Sequence, residues 1–263
     1  MTIAPNTDNY TLGKGVLYFG RFDANGVSEG WQDLGNCPAF SVQPTIETLD
    51  HFSSREGLKE KDKTVNISVA NTARFTLDEY SAENLALAIL STAPTTETQA
   101  TGAAVAETFT AAHDKWVDLT YRNVLATGIT VEDAGGGGAY VEGTDYALNY
   151  KRGMIKILST GSIADDAAMQ IGYGYSGETW NLLNAVSSTD IEGALLFIGD
   201  PEEGVSYEME IWKGKLRIAG ELNFISDDWA TMEFEYEVEK DETNHPTNPW
   251  YVIREEGTAG GGS

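Results

Sequence analysis

The stretch Thr231-Met-Glu-Phe-Glu-Tyr-Glu-Val-Glu239 puts Met232, Phe234, Tyr236 and Val238 on one side of an extended chain and Glu233, Glu235, Glu237 and Glu239 on the other. Alternation with period two marks a strand with one buried and one wet face. Glutamates two apart on one strand face lie about 7 Å from each other, so they repel without adding stability, and water must bathe that side. Taken alone, the strand favours an ordinary solvated face of an antiparallel sheet. The sharper reading is a surface that repels a polyanion such as DNA.

The same rhythm runs outward from this strand along most of the chain and predicts an all-β protein with one helix. Strands are expected near 16–22, 38–48, 64–75, 138–150, 153–158, 167–175, 191–198, 206–218, 219–226 and 230–239. In the second of these Phe40, Val42 and Ile46 alternate with polar residues, and Pro44, which cannot donate to a ladder, makes it an edge strand or a bulged one. An edge is open to pairing with another chain. Thr76 to Leu90 is rich in helix formers, with Thr76 and Glu79 spaced as a capping box and Pro94 beyond the far end, and predicts a helix over 76–90. From Pro94 the texture changes to Thr/Ala-rich and Gly-rich segments. We therefore expect residues 1–93 and 179–254 to form one domain, 94–178 to be an inserted β module, and 255–263 to be a flexible tail.

Composition narrows the partners. The 263 residues carry 41 Asp plus Glu against 17 Lys plus Arg, a formal charge of -24, so the overall field opposes nucleic acid and anionic membrane. A single cysteine, Cys37, excludes an internal disulfide and is expected as a small buried residue. The first residues have neither a basic nor an apolar leader region, and no apolar run approaches spanning length. A soluble, uncleaved chain without membrane insertion is expected.

Chemistry-bearing motifs are missing. There is no phosphate-binding glycine loop, no His-Glu-x-x-His, no nucleophile elbow and no Cys-x-x-Cys, and His51, His113 and His245 are far apart in sequence. No catalytic residue, cofactor or metal is expected. Six Trp and twelve Tyr leave open a carbohydrate-binding or adhesive β-sandwich, although Tyr207, Phe224, Phe234 and Tyr236 fall on apolar strand faces and read as core. A glycoside-processing enzyme with two carboxylates ranks third.

The segment from Glu47 to Lys63 is longer than a hairpin turn needs and dense in both charge signs. Asp50, His51, Arg55, Glu56, Lys59, Lys61 and Lys63 make it a candidate docking loop, with four of the scarce basic residues in one place. Together with Gly13-Lys-Gly-Val-Leu-Tyr-Phe-Gly20, Gly30-Trp-Gln-Asp-Leu-Gly-Asn-Cys-Pro-Ala-Phe40, the Leu77–Leu90 segment, Gly193-Ala-Leu-Leu-Phe-Ile-Gly-Asp200 and Ile225-Ser-Asp-Asp-Trp-Ala-Thr-Met232, it resembles the major tail tube proteins of long, non-contractile-tailed bacteriophages. Order and co-occurrence carry this likeness, which spans the two flanking halves and leaves the middle as a variable insertion.

The resemblance implies a split-barrel or sandwich fold whose strands join an inner β-barrel when the protein oligomerises. Hexameric rings would stack into a hollow tube with an acidic lumen, assembled in the host cytoplasm and residing in the virion tail. DNA would pass without specific binding. The partners implied are the protein itself, a tape measure protein, and tail initiator (distal tail) and terminator proteins. The 47–63 loop would reach an adjacent ring, and the terminal arms would bridge subunits. Glu233, Glu235, Glu237 and Glu239 are the candidate lumen lining, with Glu47 and the polar face of 38–48 as the runner-up.

Overall fold

The computed structural model describes residues 10–55 and 57–255; Glu56 and the terminal arms, 1–9 and 256–263, lie outside the described residues. The chain forms two compact units, one made of Met1–Pro94 with Leu183–Ser263 and the other of Thr95–Leu182. The first unit holds β1 (Gly15–Arg21), β2 (Gln32–Asp33), β3 (Ala39–Ser53), β4 (Glu60–Leu77) and α1 (Ala82–Ala88). The second follows with β5 (Thr95–Gln99), β6 (Gly102–Thr110), β7 (Trp116–Asp118), β8 (Thr130–Asp133), β9 (Tyr146–Asn149), β10 (Met154–Ile157), β11 (Ala168–Tyr175) and β12 (Glu178–Leu182). The chain then returns to the first unit as β13 (Ile191–Gly199), β14 (Tyr207–Ile218), β15 (Met232–Val238) and β16 (Tyr251–Glu255). Among the described residues no sheet closes into a barrel, and no helix is long and apolar enough to cross a membrane.

In the first unit an antiparallel sheet runs β2-β1-β13-β14-β15-β4-β3, with β16 pairing β14 beside β15. The sheet curls, because Phe40 on its last strand meets Phe197 on β13 with ring centroids 5.3 Å apart. Inside the curl, the apolar alternation of β15 is realised: Met232, Phe234, Tyr236 and Val238 are buried with Leu17, Phe19, Phe75, Leu195 and Leu216. Each such side chain contributes about 1.5–3 kcal/mol on burial. Gly193 and Gly214 face each other across β13 and β14, and a Cβ on either would meet the ring of Phe19 or Tyr236 at 2.5 and 2.6 Å. The two glycines thus make room for the rings, and the Tyr236 hydroxyl donates to the Gly193 carbonyl at 2.6 Å. Burial pushes the Tyr236 phenol far above its ordinary pKa, so it stays protonated as a donor.

Several sequence expectations are corrected here. The 47–63 loop is mostly strand: β3 runs to Ser53 and β4 begins at Glu60, so the segment is the end of a long hairpin arm. Charged residues are depleted in strands, which made it read as loop. Their pairing is visible only across the hairpin, where Lys61 meets Asp50 at 2.8 Å and His51 meets Asp62 at 2.5 Å. The helix is Ala82–Ala88, not 76–90, capped by Ser81, whose hydroxyl accepts from the Asn84 amide at 3.1 Å. Thr76 and Leu77 are instead taken into β4, with Leu77 paired to Met232, so tertiary pairing overrides helix propensity. Residues 219–226 are not a strand, and Phe224 is exposed rather than core, as in part is Tyr207. Only 146–149 of the expected 138–150 strand is extended pairing, Glu255 closes β16 instead of opening a tail, and Cys37 is half-buried.

The second unit has its own core. Two three-stranded sheets, β7-β10-β9 and β6-β11-β8, bury Val131, Tyr146, Ile155, Ile157, Met169, Ile171 and Tyr173 between them. The pair β5–β12 lies where the chain enters and leaves this unit.

Candidate functional site

Two surfaces of the first unit carry the residues singled out in the sequence. The first is the outer face of β15 and its neighbours. Glu233, Glu235, Glu237 and Glu239 do alternate outward, but three of them are matched by bases on flanking strands. Arg74 on β4 reaches Glu235 at 2.9 Å, and Arg217 on β14 reaches Glu235 and Glu237 at 3.4 and 3.0 Å. Lys213 meets Glu239 at 3.2 Å and Glu192 at 3.8 Å, while Lys215 meets Glu192 and Asp190 at 3.5 and 3.4 Å. The face is therefore a mixed ladder, six acids against four bases, that remains net negative.

Cross-strand distance explains why sequence reading missed the bases. Arg74 is 161 residues from Glu235. A signal for the others did exist, since Lys213-Gly-Lys-Leu-Arg217 alternates with the opposite sign one strand earlier. Exposed pairs of this kind contribute about 0–1 kcal/mol each, so the ladder sets the charge pattern more than the stability.

The Arg74 guanidinium, hydrogen-bonded to Glu235, with Arg217 close by, holds that carboxyl below its usual range. A depressed folded pKa stabilises above the unfolded value and loses its effect as pH falls through the folded one. Glu235→Gln is expected to lower stability by less than about 1 kcal/mol at pH 7, and the difference from the parent should vanish below the depressed pKa. Urea midpoints followed from pH 7 downward check this; a gap that stays constant over the whole acid range would contradict it.

The second surface is the hairpin arm. β3 is the last strand of its sheet, as Pro44 requires, and its outer edge is unpaired among the described residues. Past the Thr45↔Ala70 pair the two strands continue without any other strand beside them, exposing Ile46, Leu49, Phe52, Leu58, Val65, Ile67 and Val69. Glu47 lies on this arm, where it accepts from the Ser68 hydroxyl at 3.0 Å. Glu235 pairs with Arg74 and Arg74 with Ser41, and Glu47 follows Ser41 at even spacing before any register shift, so it continues the face of the β15 glutamates. Asp50, His51, Arg55, Lys59, Lys61 and Lys63 all belong to the outer part of the arm; Glu56 lies outside the described residues.

Elsewhere the geometry assembles no reaction centre from the sequence candidates. His113 bonds the Ile163 carbonyl through Nε2, and His245 stacks on Trp212 at 3.7 Å and bonds Asp241. Among the described residues no group of three His, Cys, Asp or Glu could hold a metal. An apolar cleft of about 480 Å³ opens between Phe40 and Val42 of β3 and Leu17, Phe197, Met209 and Ile253 across the curl. In the second unit Tyr146, Tyr173 and Tyr175 are core, Tyr121 stacks on Tyr175 at 3.9 Å, and Lys156 lies over the exposed Trp116. These aromatics form no exposed row of the kind that stacks on sugars.

Fold and surfaces together define a two-unit β protein with a charged sheet face and a projecting hairpin. The chain belongs to the family described as Protein of unknown function UCP028589, whose model matches residues 10–249 and so takes in both units. No curated protein matches the chain.

Proposed function

We propose that this protein is a structural subunit that polymerises, as stacked rings, into the hollow tail tube of a long, non-contractile-tailed bacteriophage, through which DNA is delivered. The observation that carries the reading is the hairpin arm. Seven large apolar side chains stand in water, six on two strands of 15 and 18 residues and Leu58 on the turn that joins them, beside an unpaired edge. A lone monomer with such an edge invites pairing and aggregation. A subunit whose edge and arm are covered by further copies is relieved of both hazards.

On this reading the β15 face lines the lumen, where its net negative charge keeps phosphates from adhering while the paired bases limit repulsion between subunits. Glu233, with no ion-pair partner among the described residues, contributes most per residue. Replacing Glu233 and Glu237 by lysine should leave assembly intact and impair DNA passage; full infectivity of the resulting particles would remove this face from the lumen. The tape measure, initiator and terminator proteins of the same tail are the further partners.

A ring of six would gather 6 × 24 = 144 formal negative charges. Salt should therefore promote assembly between about 20 and 150 mM, as the Debye length shortens from roughly 20 Å to 8 Å. Light scattering and sedimentation velocity of the purified chain read this directly. A protein that stays monomeric across that range and up to high concentration would overturn the proposal.

A further inference from the structure

We infer that the tip of the hairpin arm docks, head to tail, on the 221–229 segment of a second copy of the chain. This rests on the assembly reading above and names the contact that would propagate it.

The two segments lie at opposite ends of the same strands. β15 pairs β4 from Met232↔Leu77 to Val238↔Asn71. The segment from Ala219 to Thr231 therefore meets the sheet at the Leu77 end, and the arm leaves it at the Asn71 end. From Ala70 out to Glu60 the arm projects by roughly 35 Å at about 3.3 Å per residue, so one copy cannot satisfy the other segment of its own chain. A contact between opposite ends is heterologous, and repeating it stacks copies along one direction.

Both segments hold apolar side chains with no partner of their own. Trp229 is 95% exposed and Ile225 96%, values that leave the indole and the isoleucine without a packing neighbour. At the arm tip Leu58 is 78% exposed and Phe52 47%. The charges are opposite. The 219–231 segment has Glu221, Asp227 and Asp228 and no Lys or Arg, and none of the three is ion-paired among the described residues. Residues 54–63 at the tip carry Arg55, Lys59, Lys61 and Lys63 against Glu56, Glu60 and Asp62, a net charge of +1, and Lys59 and Lys63 have no ion-pair partner among the described residues. In a chain this acidic, a locally positive tip selects that acidic segment and disfavours pairing of two tips. Apolar contact then supplies affinity, and the charges supply register.

The test starts from a Cys37→Ser background carrying Leu58→Cys and Trp229→Cys together. Oxidation should give a ladder of disulfide-linked multimers on a non-reducing gel, with neither single-cysteine chain going beyond dimers. In parallel, Lys59→Glu with Lys63→Glu, or Asp227→Lys with Asp228→Lys, should each raise the concentration needed for assembly at least tenfold, and the fourfold exchange should restore it. Tubes that form without the ladder, and are indifferent to the reversals, would overturn this contact and leave the assembly reading standing. Absence of both ladder and tubes at every salt and concentration would overturn both.

Discussion

Cutting the hairpin arm back to the sheet, by joining Thr45 to Ala70 through an Asn-Gly turn, should leave a protein that folds and does not assemble. The two residues are directly paired, and Asn-Gly is the turn that suits a two-residue hairpin. The deletion removes all seven exposed apolar side chains of the arm and no member of the core. Thermal midpoint should therefore move by only a few degrees, about 1 kcal/mol or less. Assembly should fall at least a hundredfold, because both the edge beyond the sheet and the docking tip are gone. Circular dichroism melts beside light scattering separate the two effects. A truncated chain that still polymerises would deny the arm its role.

Tyr236→Ala should be the most damaging single substitution in the first unit. It removes a fully buried ring that fills the space left by Gly214, a loss of about 3–5 kcal/mol. Tyr236→Phe isolates the hydroxyl. It leaves the buried Gly193 carbonyl without this donor and should cost about 1–3 kcal/mol with the packing preserved. Urea unfolding measures both. Hydrogen exchange should show unchanged protection in Thr95–Leu182, whose core shares no residue with that of Tyr236. A neutral Tyr236→Phe would mean that the carbonyl finds another donor.

How much of this could be read beforehand depended on whether a signal was local. The β15 alternation is local, since each apolar residue two positions on must face the same side, and the structure buries all four. Pro44 marked an edge strand for the same kind of reason: a missing amide proton is a property of one residue. The arm was not legible, because Lys59, Lys61 and Lys63 argue for loop until the pairs Asp50–Lys61 and Asp62–His51 are seen across the hairpin. Thr76 and Leu77 looked like a helix start, and only the competing partner Met232, far along the chain, explains why they are strand. The bases that temper the acidic face come from β4 and β14, so a single strand overstated its charge. Trp229 and Ile225 carry no sequence sign of exposure at all; apolar residues are informative about burial only once a sheet exists to bury them.

The most direct measurement is negative-stain electron microscopy of the full chain at high concentration and about 150 mM salt, with the arm-truncated protein as control. Tubes or stacked rings with a central hole are expected for the full chain and separate particles for the control. Monodisperse single particles from the full chain, at every concentration and salt tried, would contradict it.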